Sequence, residues 1–125
     1  MAPQHISEAE MAEYRATLRR RREQERELLV QRRERAWDVA RRAAALLKEE
    51  FGAEKVVLFG SLLHPDRFIA WSDIDIAAYG LRPSDTFKAV ASVLGLDDDI
   101  EVNLVDVGAC KASVLAAIER EGVEL

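Results

Sequence analysis

The sequence predicts an α/β (α+β) fold: a small, mixed, twisted sheet of three or more strands, helices on one face of it, and a long helix at the N-terminus. Three observations lead there. Residues 7–50 contain neither proline nor glycine and are rich in Ala, Arg, Glu and Leu, which is strong helix composition. Residues 55–60, 73–79 and 100–107 are short apolar or alternating runs of the kind strands show. Two further segments, 85–94 and 112–120, carry apolar residues at helical spacing.

The first helix begins after Ser7, an N-cap residue, with Glu8 and Glu10 favourably placed in the first turn. Val30, Trp37, Ala40, Ala44, Leu47 and Phe51 form one apolar stripe by three- and four-residue steps, and Gly52 is the natural stop. Residues 19–27, RRRREQERE, contain nothing a core can bury, although Arg19/Glu23 and Arg21/Glu25 are spaced to support a helix. Residues 7–28 therefore read as a projecting extension and 29–51 as the part that packs, with a domain boundary set at 1–35 and 36–125. Met11, Tyr14 and Leu18 are the extension's candidate contacts for a partner or for self-association. Glutamates interleaved with the arginine run argue against direct RNA binding.

Next, KVVLFG (55–60) reads as a buried strand and DIDIAAY (73–79) as a strand with one open face. A turn at 80–83 leads to a helix over 85–94, capped by Ser84, with Phe87, Val90, Ala91 and Leu94 as its apolar face. Residues 97–99 form a loop. In IEVNLVDV (100–107), Glu101, Asn103 and Val105 share one face, and Val102 and Leu104 the other. The last helix, 112–120, buries Val114, Leu115 and Ile118, starts near Cys110 and ends at Gly122.

Composition narrows the function. A single cysteine among 125 residues excludes an intramolecular disulfide framework and a thiol zinc site. No apolar run approaches the ~20 residues of a membrane span, and Met-Ala-Pro-Gln-His lacks a secretory pattern. A soluble cytoplasmic protein is expected, with no membrane partner. The net charge of -5 is uneven: residues 1–50 carry 12 Lys/Arg and 10 Asp/Glu, residues 51–125 carry 6 and 13. An acidic remainder argues against a broad nucleic-acid surface, but not against a phosphate substrate bridged by a divalent cation.

Two features carry chemistry. Gly60-Ser61 closes the first short strand, and Ser72-Asp73-Ile74-Asp75 opens the second, eleven residues after Ser61. Glycine at a strand end lets the backbone approach a ligand, where N–H groups and a hydroxyl donate to phosphate oxygens. Asp73 and Asp75 point the same way, about 6.5–7 Å apart at Cα. Side by side without a lysine or arginine neighbour, they repel unless a cation intervenes. Two magnesium ions about 3.5–4 Å apart are the usual solution, and also activate a nucleophile and steady a leaving phosphate.

LFGS followed by SDIDI resembles the signature of the minimal nucleotidyltransferase (MNT) family, within the DNA polymerase β-like superfamily. The resemblance covers about residues 36–125, including the ending LVDV…VLAAIEREGVEL. It implies a nucleotidyltransferase-like fold and transfer of a nucleoside monophosphate, AMP from ATP or another nucleoside triphosphate, to a hydroxyl of a macromolecular acceptor. It implies that Gly60 and Ser61 hold the triphosphate, that Asp73 and Asp75 bind catalytic Mg2+, and that a carboxylate on the next strand completes the set. It also implies a setting: such enzymes often act as antitoxins to a HEPN-type toxin.

The sequence departs from the family pattern in three places: the make-up of the loop after Gly-Ser, the length of that loop, which is slightly greater than usual, and position 103. The loop after Gly-Ser usually carries Ala-Arg-Gly; here it is LLHPDR (62–67), with Arg67 as the substitute phosphate-reaching cation. The aspartate expected at 103 is Asn103, and Glu101 on the same strand face is the candidate replacement, both as metal ligand and as catalytic carboxylate. Asp106 has the opposite parity. The alternative reading is a catalytically weakened relative that acts as a scaffold through its N-terminal helix.

Overall fold

The computed structural model describes residues 5–125; residues 1–4, and with them most of the leader reading, lie outside. Helix α1 (Glu8–Phe51) runs unbroken across the expected boundary at 35/36. Ser7 Oγ accepts from Glu10 N at 3.1 Å, and Gly52 ends the helix in the left-handed conformation, φ 68°. Its first three residues in the core are Ala36, Val39 and Ala40, followed by Ala43, Ala44 and Leu47. Val30 is 57% exposed and does not join the stripe, because it lies off the face, centred on Ala36, Ala40 and Ala43, by which the helix packs. The extension before residue 29 lies open to solvent, as a segment without apolar periodicity must.

The sheet has the order β3-β2-β1-β4. Strand β1 (Lys55–Phe59) pairs antiparallel with β2 (Ile74–Tyr79), Phe59 opposite Asp75. The return loop is held by Leu62 and Phe68, both buried, so a long connection stays fixed against the core. From β2 the chain crosses over through α2 (Thr86–Leu94) to β3 (Val102–Asp106), which runs parallel to β2. Helix α3 (Ala112–Glu121) leads into β4 (Val123–Glu124), which pairs with β1. β4 was not expected; two residues carry no readable period.

Alternation assigns the faces. Val56, Leu58, Ile74, Ile76 and Val102 point into the main core beneath α1 and α2. Val57 and Ala77 point the other way and meet Ile118 of α3. Helices α1 and α2 thus share one face as expected, while α3 covers part of the other. The remaining end of that second face stays open, and it holds Asp73, Asp75, Glu101 and Asn103.

Helix α2 corrects two expectations. Ser84 is not its cap: residues Pro83–Asp85 form a 3-10 turn, tied by Arg82 Nε to Asp85 Oδ2 at 2.9 Å. Its buried residues are Ala89 and Val93, whereas Phe87 is 87% exposed. Its apolar residues form an arc wider than the face that packs, with Lys88 and Ser92 opposite, so spacing could not decide which edge of the arc meets the sheet. In α3, Ile118 is buried and Val114 and Leu115 are half-buried. Cys110 precedes α3, its Sγ near Val107 O at 3.5 Å. Among the described residues, no helix is long and apolar enough to cross a membrane.

Candidate functional site

The site forms where β1 ends and β2 and β3 begin. Gly60 has φ 82° and ψ -157°, a region essentially reserved for glycine. A Cβ there would lie 2.5 Å from Asp75 Oδ2, so the turn is seated directly on that carboxylate. Ser61 opens the 3-10 turn Ser61–Leu63 that follows, which Leu62 pins in the core. Arg33 of α1 donates to Leu62 O at 3.3 Å, holding the turn from the other side. Gly60, Ser61 and Asp75 are thus brought together by the pairing of Phe59 with Asp75.

Across the parallel pair, Asp75 registers with Asn103. Asn103 Nδ2 lies 3.5 Å from Asp73 Oδ2. Burial pushes the Asp75 carboxyl above the ordinary carboxylate value; hydrogen bonding from Asn103 opposes that rise, and the negative charge of Asp73 adds to it. Among the described residues neither aspartate forms an ion pair. Two half-buried carboxylates on one face, sharing an amide and lacking a countercharge, are a donor set chemically suited to one hard divalent cation.

Glu101 shares the face but stands one pairing step out, its carbonyl accepting from Ile74 N at 2.9 Å and its residue exposed. Among the described residues, no group of three or more His, Cys, Asp or Glu side chains is gathered to hold a metal ion. Glu101 instead lines, with Asp73, a cleft of about 550 Å³. Arg67 is exposed on the loop and makes no ion pair among the described residues. Asp106 faces α2, accepting from Thr86 Oγ1 at 2.7 Å and from Gly108 N at 3.0 Å, and so begins a turn as its parity requires.

Three arginines of α1 were not foreseen: Arg33, which holds the Gly60 turn, and Arg32 and Arg35. Arg32 donates to Ser72 O at 3.5 Å and to Asp99 O at 3.4 Å, clamping both loops that flank the cleft. Arg35 pairs with Asp97 at 2.9 Å and with Asp99 at 3.4 Å. Burial would raise Asp97, but the hydrogen bond and charge of Arg35 and the backbone N–H groups of Asp99 and Ile100 outweigh it, and its carboxyl is held below the ordinary value. Trp71, directly before Ser72-Asp73, is open both to walling the pocket and to packing on a helix from sequence; it is 77% exposed and lines the cleft. A cluster of arginines at 32, 33 and 35, just before the buried stripe, was the available signal.

No family model matches the chain, and no curated protein matches it either. Among solved structures, the chain is similar to the tri-AMPylated Shewanella oneidensis HEPN toxin in complex with MNT antitoxin, at 20% identity over 71% of this chain and 70% of that one, TM-score 0.54. It is also similar to the toxin–antitoxin MntA-HepT, at 20% identity over 69% and 68%, TM-score 0.52. A toxin–antitoxin with AMP-PNP matches at 23% identity over 64% and 66%, TM-score 0.53. At these identities the likeness is one of fold.

Proposed function

We propose that the chain is a Mg2+-dependent nucleotidyltransferase that moves AMP from ATP to a hydroxyl of a macromolecular acceptor. Its setting would be that of an antitoxin to a HEPN-type protein. The observation that carries this reading is the seat of the Gly60 turn on the Asp75 carboxylate, beside an uncompensated Asp73.

Asp73 and Asp75 would hold the cation, and Glu101 would contribute from one pairing step away. When bound, the cation would draw charge from the triphosphate and lower the pKa of the attacking hydroxyl. The chain's own part is positional. Gly60 brings backbone close enough to cradle phosphate oxygens, Ser61 adds a hydroxyl and N–H, and Arg67 is assigned to the outer phosphates. From the cleft beside Asp73 the acceptor hydroxyl would attack the α-phosphorus in line, its proton passing to Glu101 and pyrophosphate leaving on the Gly60–Ser61 side. The likeness to complexes that contain an AMPylated HEPN toxin and AMP-PNP supports both donor and partner.

Co-expression with a HEPN-type protein, followed by incubation with α-labelled ATP and Mg2+, tests this. Label should pass to the partner, and Asp73→Asn with Asp75→Asn should reduce transfer at least 100-fold, on the order of the loss when a preorganised charge-stabilising group is removed. Transfer unaffected by the double substitution overturns the assignment.

A second reading rests on Asn103. An amide cannot bear the charge of the carboxylate expected there, and Glu101 is not gathered with the pair. A weakened enzyme that scaffolds its partner would bind ATP without transferring AMP, and Asn103→Asp would then raise transfer.

A further inference from the structure

Helix α2 presents an apolar track that the single chain leaves in water. Phe87, Ala91 and Leu94 fall on one side at helical spacing, all exposed, while Ala89 and Val93 fill the core from the other. The track extends about 10 Å along the helix. An aromatic ring 87% exposed at one end and a leucine 42% exposed at the other are costly to hydrate and favourable to cover.

The track leads into the site. Leu94 and the exposed Trp71 both line the cleft that contains Asp73 and Glu101. The same cleft exposes Asp98 and Asp99, the latter paired with Arg35, and its one lining cation, Arg32, faces the five carboxylates Asp73, Asp97, Asp98, Asp99 and Glu101. An apolar path thus ends at an anionic mouth beside the proposed catalytic carboxylates.

We propose that this surface docks the acceptor, and that the acceptor is a protein segment with apolar side chains next to Lys or Arg, its hydroxyl delivered past Trp71 to Asp73. The inference rests on the nucleotidyl-transfer reading and adds the face of approach and the chemistry of the acceptor. Charge decides the class: the excess of carboxylates in the cleft, with Asp98 and Glu101 outside any ion pair among the described residues, repels nucleic-acid phosphates and attracts a cationic segment. Apolar burial along α2 supplies the affinity and charge the orientation.

The test uses the full chain carrying Trp37→Phe, so that Trp71 alone reports by fluorescence. The probes are an amphipathic Leu/Lys peptide with one tyrosine and its Leu/Glu counterpart. A saturable change is expected with the Leu/Lys peptide only, weakened tenfold or more by Phe87→Ser and, separately, by Asp98→Asn with Asp99→Asn. Calorimetric binding of ATP with Mg2+ should be unchanged by Phe87→Ser. No saturable change, or binding indifferent to Phe87→Ser, overturns the docking surface. So does a concentration-dependent dimer that Phe87→Ser abolishes, which would assign the face to a second copy. Peptide docking with the expected dependences but no ATP binding would keep the surface and overturn the transfer reading instead.

Discussion

Replacing Gly60 by alanine separates a turn that merely needs glycine from one built against a functional carboxylate. At φ 82° and ψ -157° a non-glycine residue carries backbone strain of about 1–3 kcal/mol. The new Cβ would stand 2.5 Å from Asp75 Oδ2 and 3.3 Å from Asp75 Cγ, so the carboxylate must rotate away. Driving it off its rotamer adds about 1 kcal/mol, for a total near 2–4 kcal/mol. At roughly 4 °C per kcal/mol for a chain of this size, Tm should fall by about 8–16 °C. Gly52→Ala is the control: φ is 68° there too, but nothing lies within 4 Å, and a cost near 1 kcal/mol is expected from the left-handed backbone alone. Urea unfolding of both variants gives the comparison, and calorimetry with ATP and Mg2+ gives the function. Gly60→Ala should lose nucleotide binding under conditions where it is fully folded, and Asp75→Ala in the same chain should recover about 1 kcal/mol. Equal costs for the two glycines, with nucleotide binding retained in Gly60→Ala, would refute the reasoning.

Other outcomes follow from the same geometry. Because the folded protein holds the Asp75 carboxyl above its ordinary value, the native state binds that proton more tightly than the unfolded chain. The associated stability is complete below the unfolded pKa of about 3.9 and is lost as pH rises through the folded one. In cation-free buffer Asp75→Asn should therefore raise Tm at neutral pH, and the gain should vanish at pH 3. Mg2+ at ten times its Kd should stabilise the native chain by about 1.4 kcal/mol and leave Asp75→Asn unmoved, by thermal scan. Asp97 behaves oppositely: its depressed carboxyl contributes stability above the unfolded pKa that is lost as pH falls through the folded one. With its side chain 8% exposed and bonded to Asp99 N at 3.0 Å and Ile100 N at 2.9 Å, Asp97→Ala should cost about 1–3 kcal/mol in urea unfolding.

Much of the fold was legible because local pattern coincides with burial. Helix α1 has the cap, the composition and the stop that the structure uses, β1 is the buried apolar run its sequence reads as, and β2 and β3 start where their alternation does. Helix α2 shows the limit of periodicity: Phe87, Val90, Ala91 and Leu94 are a genuine apolar spacing, yet Ala89 and Val93 are what the sheet accepts. Only tertiary packing chooses between two edges of one apolar arc. For the site, strand parity predicts Asp73, Asp75, Glu101 and Asn103 on one face; the register pairs Asp75 with Asn103, and Asp73 and Glu101, just ahead of the two strands, line one cleft. How far each stands along that face depends on pairing between strands distant in sequence. That pairing sets Asn103 beside Asp75 and leaves Glu101 at the cleft. The loop clamps from Arg32, Arg33 and Arg35 were hidden for the same reason, since their partners lie 29 or more residues away.

The account rests on Asp73 and Asp75 jointly holding a divalent cation within reach of the Gly60–Ser61 turn. Titration of the full chain with Mn2+ in the presence of a non-hydrolysable ATP analogue, followed by electron paramagnetic resonance, measures this directly. A saturable bound-Mn2+ signal is expected that strengthens with the analogue and disappears in Asp73→Asn with Asp75→Asn. A bound signal of the same strength in the double variant would contradict it.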